Sequence, residues 1–259
     1  MNTHGSMFGG GDKNMNISEE AFMAGNRKIV KREEWLEARK NLLVKEKEFN
    51  RLRDRLSEER RALPWEPVDK QYVFEGPAGK ESLAQLFGNS SQLVVYHFMF
   101  SPDWDAGCPH CSFWADNFDH IPVHLRHRDI SFVAVSRAPY SKLEAYWKRM
   151  GWSFKWLSSF GSEFNYDYFA SFTPDEVKND TGYYNYEQGK PSGGEDVVGI
   201  SVFAKDDAAK IFHTYSTYSR GVDIVNGTYN YIDLTPKGRD EAGHGNPQFW
   251  VRRHDEYDR

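Results

Sequence analysis

The sequence predicts an α/β fold: a mixed sheet flanked by helices, with an N-terminal helical extension and a long irregular insertion. Three observations lead there. Residues 93–100 and 130–136 are continuous apolar runs, the mark of central strands covered on both faces. Each run is followed by a helical pattern, which makes a strand–helix–strand unit and so a parallel pair. Residues 197–204 and 209–215 flank the turn Asp206-Asp207 as an antiparallel hairpin, so the sheet is mixed.

Along the chain, residues 1–16 are rich in Gly, Asn and Met without periodicity and read as a disordered extension. Residues 17–64 form a helical arm. From 33 to 63 the segment is charge-dense, with Trp35, Leu42, Phe49, Leu56 and Leu63 recurring every seventh position up to the stop at Pro64. That stripe suits either a homodimerisation arm or a helix laid along its own domain, and too few heptads are present to choose. The remaining domain, 65–259, opens with Tyr72-Val73-Phe74 and the turn Gly76-Pro77-Ala78-Gly79, after which Ser82 starts a short helix through 87. A single helix is expected over 109–127. Another follows at 141–150, with Leu143, Tyr146, Trp147 and Met150 on one side and Glu144 and Lys148 spaced as an ion pair. Residues 160–195, full of Tyr, Asn and Gly, read as an irregular insertion of the kind that often carries binding function.

The chain has 33 basic and 38 acidic residues, a net charge of -5, which speaks against a sequence-independent grip on nucleic acid. No apolar run is long enough to span a membrane, and residues 1–15 lack the order of a secretory signal, so the expected location is the cytoplasm. In that reducing compartment a pair of cysteines is more often catalytic or metal-binding than a structural staple.

The only two cysteines stand together, Cys108-Pro109-His110-Cys111, where the first apolar strand delivers the chain to a helix start. Unpaired N–H groups and the helix dipole favour a thiolate there. Pro109 costs nothing in the first turn. His110, when protonated, stabilises the thiolate further, so the pair should lean oxidising. Cys108 is then the nucleophile and Cys111 the resolving thiol. Two buried small hydrophobes are the plainer reading, and the strand-to-helix context weighs against it.

Several runs resemble a known family. They include Arg60-Arg61-Ala62-Leu63-Pro64-Trp65, Tyr96-His97-Phe98-Met99-Phe100, Pro102-Asp103-Trp104, Gly107-Cys108-Pro109, Val135-Ser136-Arg137-Ala138-Pro139, Arg149-Met150-Gly151-Trp152 and His213-Thr214-Tyr215-Ser216-Thr217-Tyr218. Over roughly residues 30–255 the chain resembles a thioredoxin-like family, first defined as a domain of unknown function and described as predicted dithiol-disulfide oxidoreductases. The resemblance implies a thioredoxin-like fold and disulfide exchange. His110 departs from the Ser often found there. Gly199 and Ser201 stand where thioredoxins keep a proline facing the active site.

Two further residues are candidates. His97 lies within the central strand, where a neutral imidazole could move the proton of Cys111; a satisfied core histidine is the alternative. Arg137 follows the next strand, at the carboxyl end where open α/β sheets bind ligands, and could steady the thiolate or an anionic substrate; a surface ion pair is the alternative. Trp104, Trp114 and Trp152 suit a groove or ordinary core. His120, His124 and His127 read as a solvated helix stripe.

The catalytic set is therefore Cys108, Cys111, His110, Pro109, His97 and Arg137. The function expected is thiol-disulfide exchange with a protein or small-molecule substrate, with no cofactor, no nucleic acid and no membrane. One alternative is a copper or zinc protein using Cys108, Cys111, His110 and His97. Another is a thiol peroxidase, although Asp105 stands where a hydroxyl would be wanted and its charge disfavours a thiolate. An interaction scaffold with idle thiols is the last.

Overall fold

The computed structural model describes residues 28–189 and 194–257. The glycine-rich segment 1–16 lies outside them. The chain divides into two compact units between Arg61 and Ala62. The first holds helix α1, Arg32–Arg61, whose 30 residues place acidic Glu33 and Glu34 in the first turn and basic Arg60 and Arg61 in the last, as the helix dipole favours.

In the second unit a two-residue strand β1 (Glu66–Pro67) precedes the expected hairpin, β2 (Val73–Gly76) and β3 (Gly79–Ser82), paired antiparallel. Gly79, at φ 94°, adopts the turn conformation that a side chain would resist. Ser82 caps helix α2 (Leu83–Leu86) in a reciprocal capping box with Gln85. Strand β4 (Gln92–His97) then leads to helix α3 (Pro109–Ala115), helix α4 (Ile121–Arg126) and strand β5 (Ile130–Ser136). Helix α5 (Tyr140–Met150) buries Leu143, Tyr146 and Met150, and its Glu144 and Lys148 pair at 2.9 Å.

The single helix expected over 109–127 is thus two. His120 sits in the left-handed region at φ 65°, and Pro122 opens the second helix. The intervening Asp116 and Asp119 turn to tertiary partners: Asp116 accepts from the Trp152 indole at 2.7 Å, and Asp119 accepts from the Ser153 amide and hydroxyl, both at 2.7 Å. His120, His124 and His127 are exposed, as a solvated stripe should be.

After β6 (Lys155–Ser158), a strand the sequence did not announce, the insertion is more ordered than its composition suggests. It contains helices α6 (Phe164–Asp167) and α7 (Pro174–Asn179) and a small hairpin, β7 (Gly182–Tyr184) with β8 (Glu187–Gly189). Strands β9 (Gly199–Lys205) and β10 (Ile211–Tyr218) form the expected hairpin. A 3-10 helix (Ser219–Val225) and helix α8 (Gly227–Ile232) complete the elements.

Among the described residues eight strands make one sheet in the order β1-β10-β9-β4-β5-β6-β2-β3. Strand β4 runs parallel to β5 and antiparallel to β9; β5 runs parallel to β6. This central arrangement, with a helix starting at the cysteine pair just past β4, is the thioredoxin-like fold. Among the described residues no helix is long and apolar enough to cross a membrane.

Side-chain alternation along β4 divides the core between the two faces of the sheet. Val94 and Tyr96 face the cluster containing both cysteines, Phe113, Trp114 and Trp152. Leu93 and Val95 face the other cluster, where the insertion contributes Phe164 and Tyr168. Phe164 is fully buried and meets Phe74 and Tyr72 edge-on at centroid distances of 4.8 and 5.1 Å. Phe164→Ala should therefore cost about 3–5 kcal/mol, measured by urea denaturation. A loss near zero would show that the insertion's start is dispensable to the fold.

Candidate functional site

Cys108 caps α3, with Pro109 as its first residue. Its position is held from several directions. The Cys108 amide donates to the Met99 carbonyl at 3.1 Å, and the Ser112 amide and hydroxyl donate to the Cys108 carbonyl at 3.0 and 2.8 Å. The Ser112 and Tyr146 hydroxyls are 2.8 Å apart. Arg253, near the end of the chain, donates to the Tyr146 oxygen at 2.9 Å and, through two nitrogens, to the Gly107 carbonyl at 3.1 and 2.7 Å. The residue before Cys108 is glycine for steric reasons: a Cβ there would come within 2.8 Å of the Phe98 and Tyr146 rings.

The two cysteines are free and 3.8 Å apart. Both are buried, Cys108 at 8% exposure and Cys111 at 2%. Burial alone would push both thiols up. Cys108 is instead held well below the usual thiol range, first by the hydrogen bond from the Cys111 thiol and then by His110, with the Cys111 amide adding to both. Cys111 is pushed up, first by burial and then by the neighbouring Cys108 charge. The result is one thiolate and one thiol. With α3 only seven residues long, these direct donors, more than the helix dipole, decide which sulfur ionises.

His110 is raised above the ordinary imidazole range, chiefly by its hydrogen bond to Cys108 and further by the Gln248 carbonyl. Both acceptors favour the doubly protonated form. Tyr96, the β4 residue facing the pair, donates to the Cys111 carbonyl at 3.3 Å.

The sulfurs open into a cleft of about 470 Å³. Met99 lies beside them, and Trp114, Val197, Val198 and Val222 form much of the apolar lining. Tyr184, from the insertion, donates to the Val198 carbonyl and accepts from the Ser219 amide, both at 2.8 Å, tying two walls together; burial pushes its phenol up to about 12. Tyr229 donates to Glu241 at 2.9 Å, and Asn246, Pro247 and Gln248 complete the opposite side.

His97 is not brought to the sulfurs. Its ring belongs to the other face of the sheet, stacked on Phe164 at 5.6 Å, with Nε2 2.8 Å from the Ser201 hydroxyl. Burial lowers its pKa to about 3, so it is a neutral core histidine. The physical reason is strand parity: Tyr96 takes the cysteine side, so its neighbour cannot. Arg137 also stands outside the cleft lining. It is buried and bound to Asp196 at 2.5 Å, to Glu195 at 2.8 Å and to the Tyr166 hydroxyl at 2.7 Å. It anchors the segment that continues into Val197 and Val198. Trp114 is both core and cleft wall, its indole donating to the Val222 carbonyl at 2.9 Å; Trp152 is core. Among the described residues no three His, Cys, Asp or Glu side chains are grouped to hold a metal, and His97 cannot join the cysteines as a ligand.

Sequence reasoning missed Tyr96, Tyr184, Tyr229, Gln248 and Arg253. A strand buried on both faces does not show that Tyr96 takes the cysteine side, and the others come from elements distant in sequence.

A family model described as "Bacterial protein of unknown function (DUF899)" matches residues 24–257. No curated protein matches the chain. Solved structures with some likeness include a peroxidoxin, BcpB, from Mycobacterium tuberculosis, 15% identical with a TM-score of 0.42, covering 66% of this chain and 97% of its own. A PrxQ mutant from Xylella fastidiosa is 10% identical at a TM-score of 0.40, covering 64% and 95%. A putative thiol:disulfide interchange protein, DsbE, from Chlorobium tepidum is 10% identical at 0.36, covering 60% and 86%.

Since the Cys108 thiolate is favoured in the fold, iodoacetamide should alkylate Cys108 at pH values below those of an ordinary thiol. In His110→Ala the rise in alkylation rate should move to higher pH, with slower reaction at pH 6. An unchanged profile would show that the imidazole does not support the thiolate.

Proposed function

This chain belongs to DUF899, a bacterial family of unknown function, and we propose that it is a thiol-disulfide oxidoreductase. The observation that carries the reading is the pair itself: two free cysteines 3.8 Å apart beside an open cleft, one favoured as thiolate and faced by a His110 held above the ordinary imidazole range.

The Cys108 thiolate attacks one sulfur of a substrate disulfide. A Cys108–substrate disulfide forms, and the departing thiolate takes the proton of His110. His110, now neutral, accepts the proton of Cys111 as that thiol attacks the Cys108 sulfur. The intramolecular disulfide forms, and the second substrate thiolate leaves with the proton His110 has just received. One disulfide is reduced to two thiols while the protein dithiol is oxidised, and a dithiol reductant closes the cycle. The same steps run in reverse when the oxidised pair meets a dithiol. Stabilising the Cys108 thiolate stabilises the reduced protein, which makes the pair a comparatively strong oxidant. Pro109 shapes the first turn. Arg137 acts at a distance by anchoring the wall segment, and His97 contributes to the core instead of the proton path.

Cys108→Ser should abolish exchange with any disulfide. Cys111→Ser should accumulate a mixed disulfide at Cys108, detected as the added mass of half the substrate. Full turnover in both single variants would overturn the assignment.

A further inference from the structure

We propose that the substrate of the cysteine pair is an uncharged, low-molecular-weight disulfide or dithiol with an apolar body, and not an extended segment of a protein. This deepens the redox reading and rests on it.

Size is the first argument. A cleft of about 470 Å³ falls within the range of small-molecule sites, roughly 300–1,000 Å³. With Cys108 at 8% exposure, a reacting disulfide must enter that space instead of meeting the sulfur on a flat surface. A protein disulfide brings two backbones, with Cα atoms about 4.4–6.8 Å apart, to the same point.

The second argument is the state of the backbone. An extended peptide binds a sheet by hydrogen bonding to unpaired main-chain groups. Beside the sulfurs the relevant stretch is Val197 and Val198, leading into β9. The Val197 amide already donates to the Ala170 carbonyl at 3.0 Å, and the Val198 carbonyl already accepts the Tyr184 hydroxyl at 2.8 Å. Strand β9 itself is flanked on both sides, by β4 and β10. The insertion has thus supplied, from within the chain, partners that a bound peptide would have to provide.

The third argument is charge. Arg220 and Arg239 both reach the cleft, and both are matched: Asp223 lies 3.2 Å from Arg220 and 3.1 Å from Arg239, and Asp233 lies 2.8 Å from Arg239. Glu241 accepts from the Tyr229 hydroxyl and the Trp250 indole, both at 2.9 Å. The two arginines are ion-paired and the Glu241 carboxylate is already hydrogen-bonded, so recognition falls to the aromatic and valine surface, which suits an apolar body without a net charge.

The test compares oxidised lipoamide, an uncharged cyclic disulfide with an aliphatic chain, against insulin, a protein disulfide. Each rate with the reduced enzyme is divided by the rate with free dithiothreitol, which removes intrinsic reactivity. The normalised rate for lipoamide should exceed that for insulin by about 100-fold, equivalent to about 2.7 kcal/mol at 1.36 kcal/mol per tenfold. Val198→Trp should lower kcat/KM for lipoamide at least tenfold while the thiolate absorbance titrates as in the unaltered protein. Insulin reduced as fast as lipoamide would leave the redox reading standing and overturn this one. Exchange with neither disulfide would remove both.

Discussion

A negative sulfur in a buried place is the constraint on which the rest of this structure turns. Desolvation opposes a thiolate at Cys108, and the fold answers with donors at close range: the Cys111 thiol and amide, and the His110 imidazole. At Cys111 burial and the neighbouring Cys108 thiolate outweigh the hydrogen bonds from Met99 and Tyr96, so the two chemically identical side chains separate into an anion and a thiol. That separation gives the pair its division of labour.

Much of the surrounding architecture holds this arrangement in place. The chain end reaches back through Arg253 to the Gly107 carbonyl and to Tyr146, which meets Ser112, which in turn holds the Cys108 carbonyl. The segment before Arg253 supplies the Gln248 carbonyl that favours the protonated form of His110. On the other side, the buried Arg137–Asp196 pair fixes the entry to the valine wall, and Tyr184 joins that wall to the 3-10 helix. Additions to a thioredoxin-like sheet, namely the insertion and the C-terminal segment, thus turn a sheet end into a walled cleft. A buried ion pair such as Arg137–Asp196 adds little net stability, and its value here is positional.

The parts legible in the sequence were those governed by local rules. The cysteine motif, the helix start at Ser82, the Gly79 turn and the two central apolar strands each depend on residues within a few positions of one another. The site's nearest neighbours, Pro109 and His110, were legible for the same reason. The break between α3 and α4 was not, because Asp116 and Asp119 become turn residues only once Trp152 and Ser153 are there to bind them. Strand β6, four residues long, was too short to show a period. The insertion looked irregular because its order comes from Phe164 and Tyr168 packing into a distant core. For His97 the sequence left two readings open, a proton carrier for Cys111 and a satisfied core histidine, and the ring's stacking on Phe164 and its contact with Ser201 select the second. The C-terminal wall could not be read at all: Gln248 and Arg253 lie some 140 positions from the cysteines they serve.

The most direct measure of the central claim is the equilibrium reduction potential of the Cys108–Cys111 pair against glutathione. A thiolate stabilised as described makes the reduced form favourable, so the potential should lie well above that of thioredoxin, about -270 mV, toward the oxidising end near -120 mV. A value at or below about -270 mV would contradict the account, because it would mean that the fold gives the reduced pair no special stability.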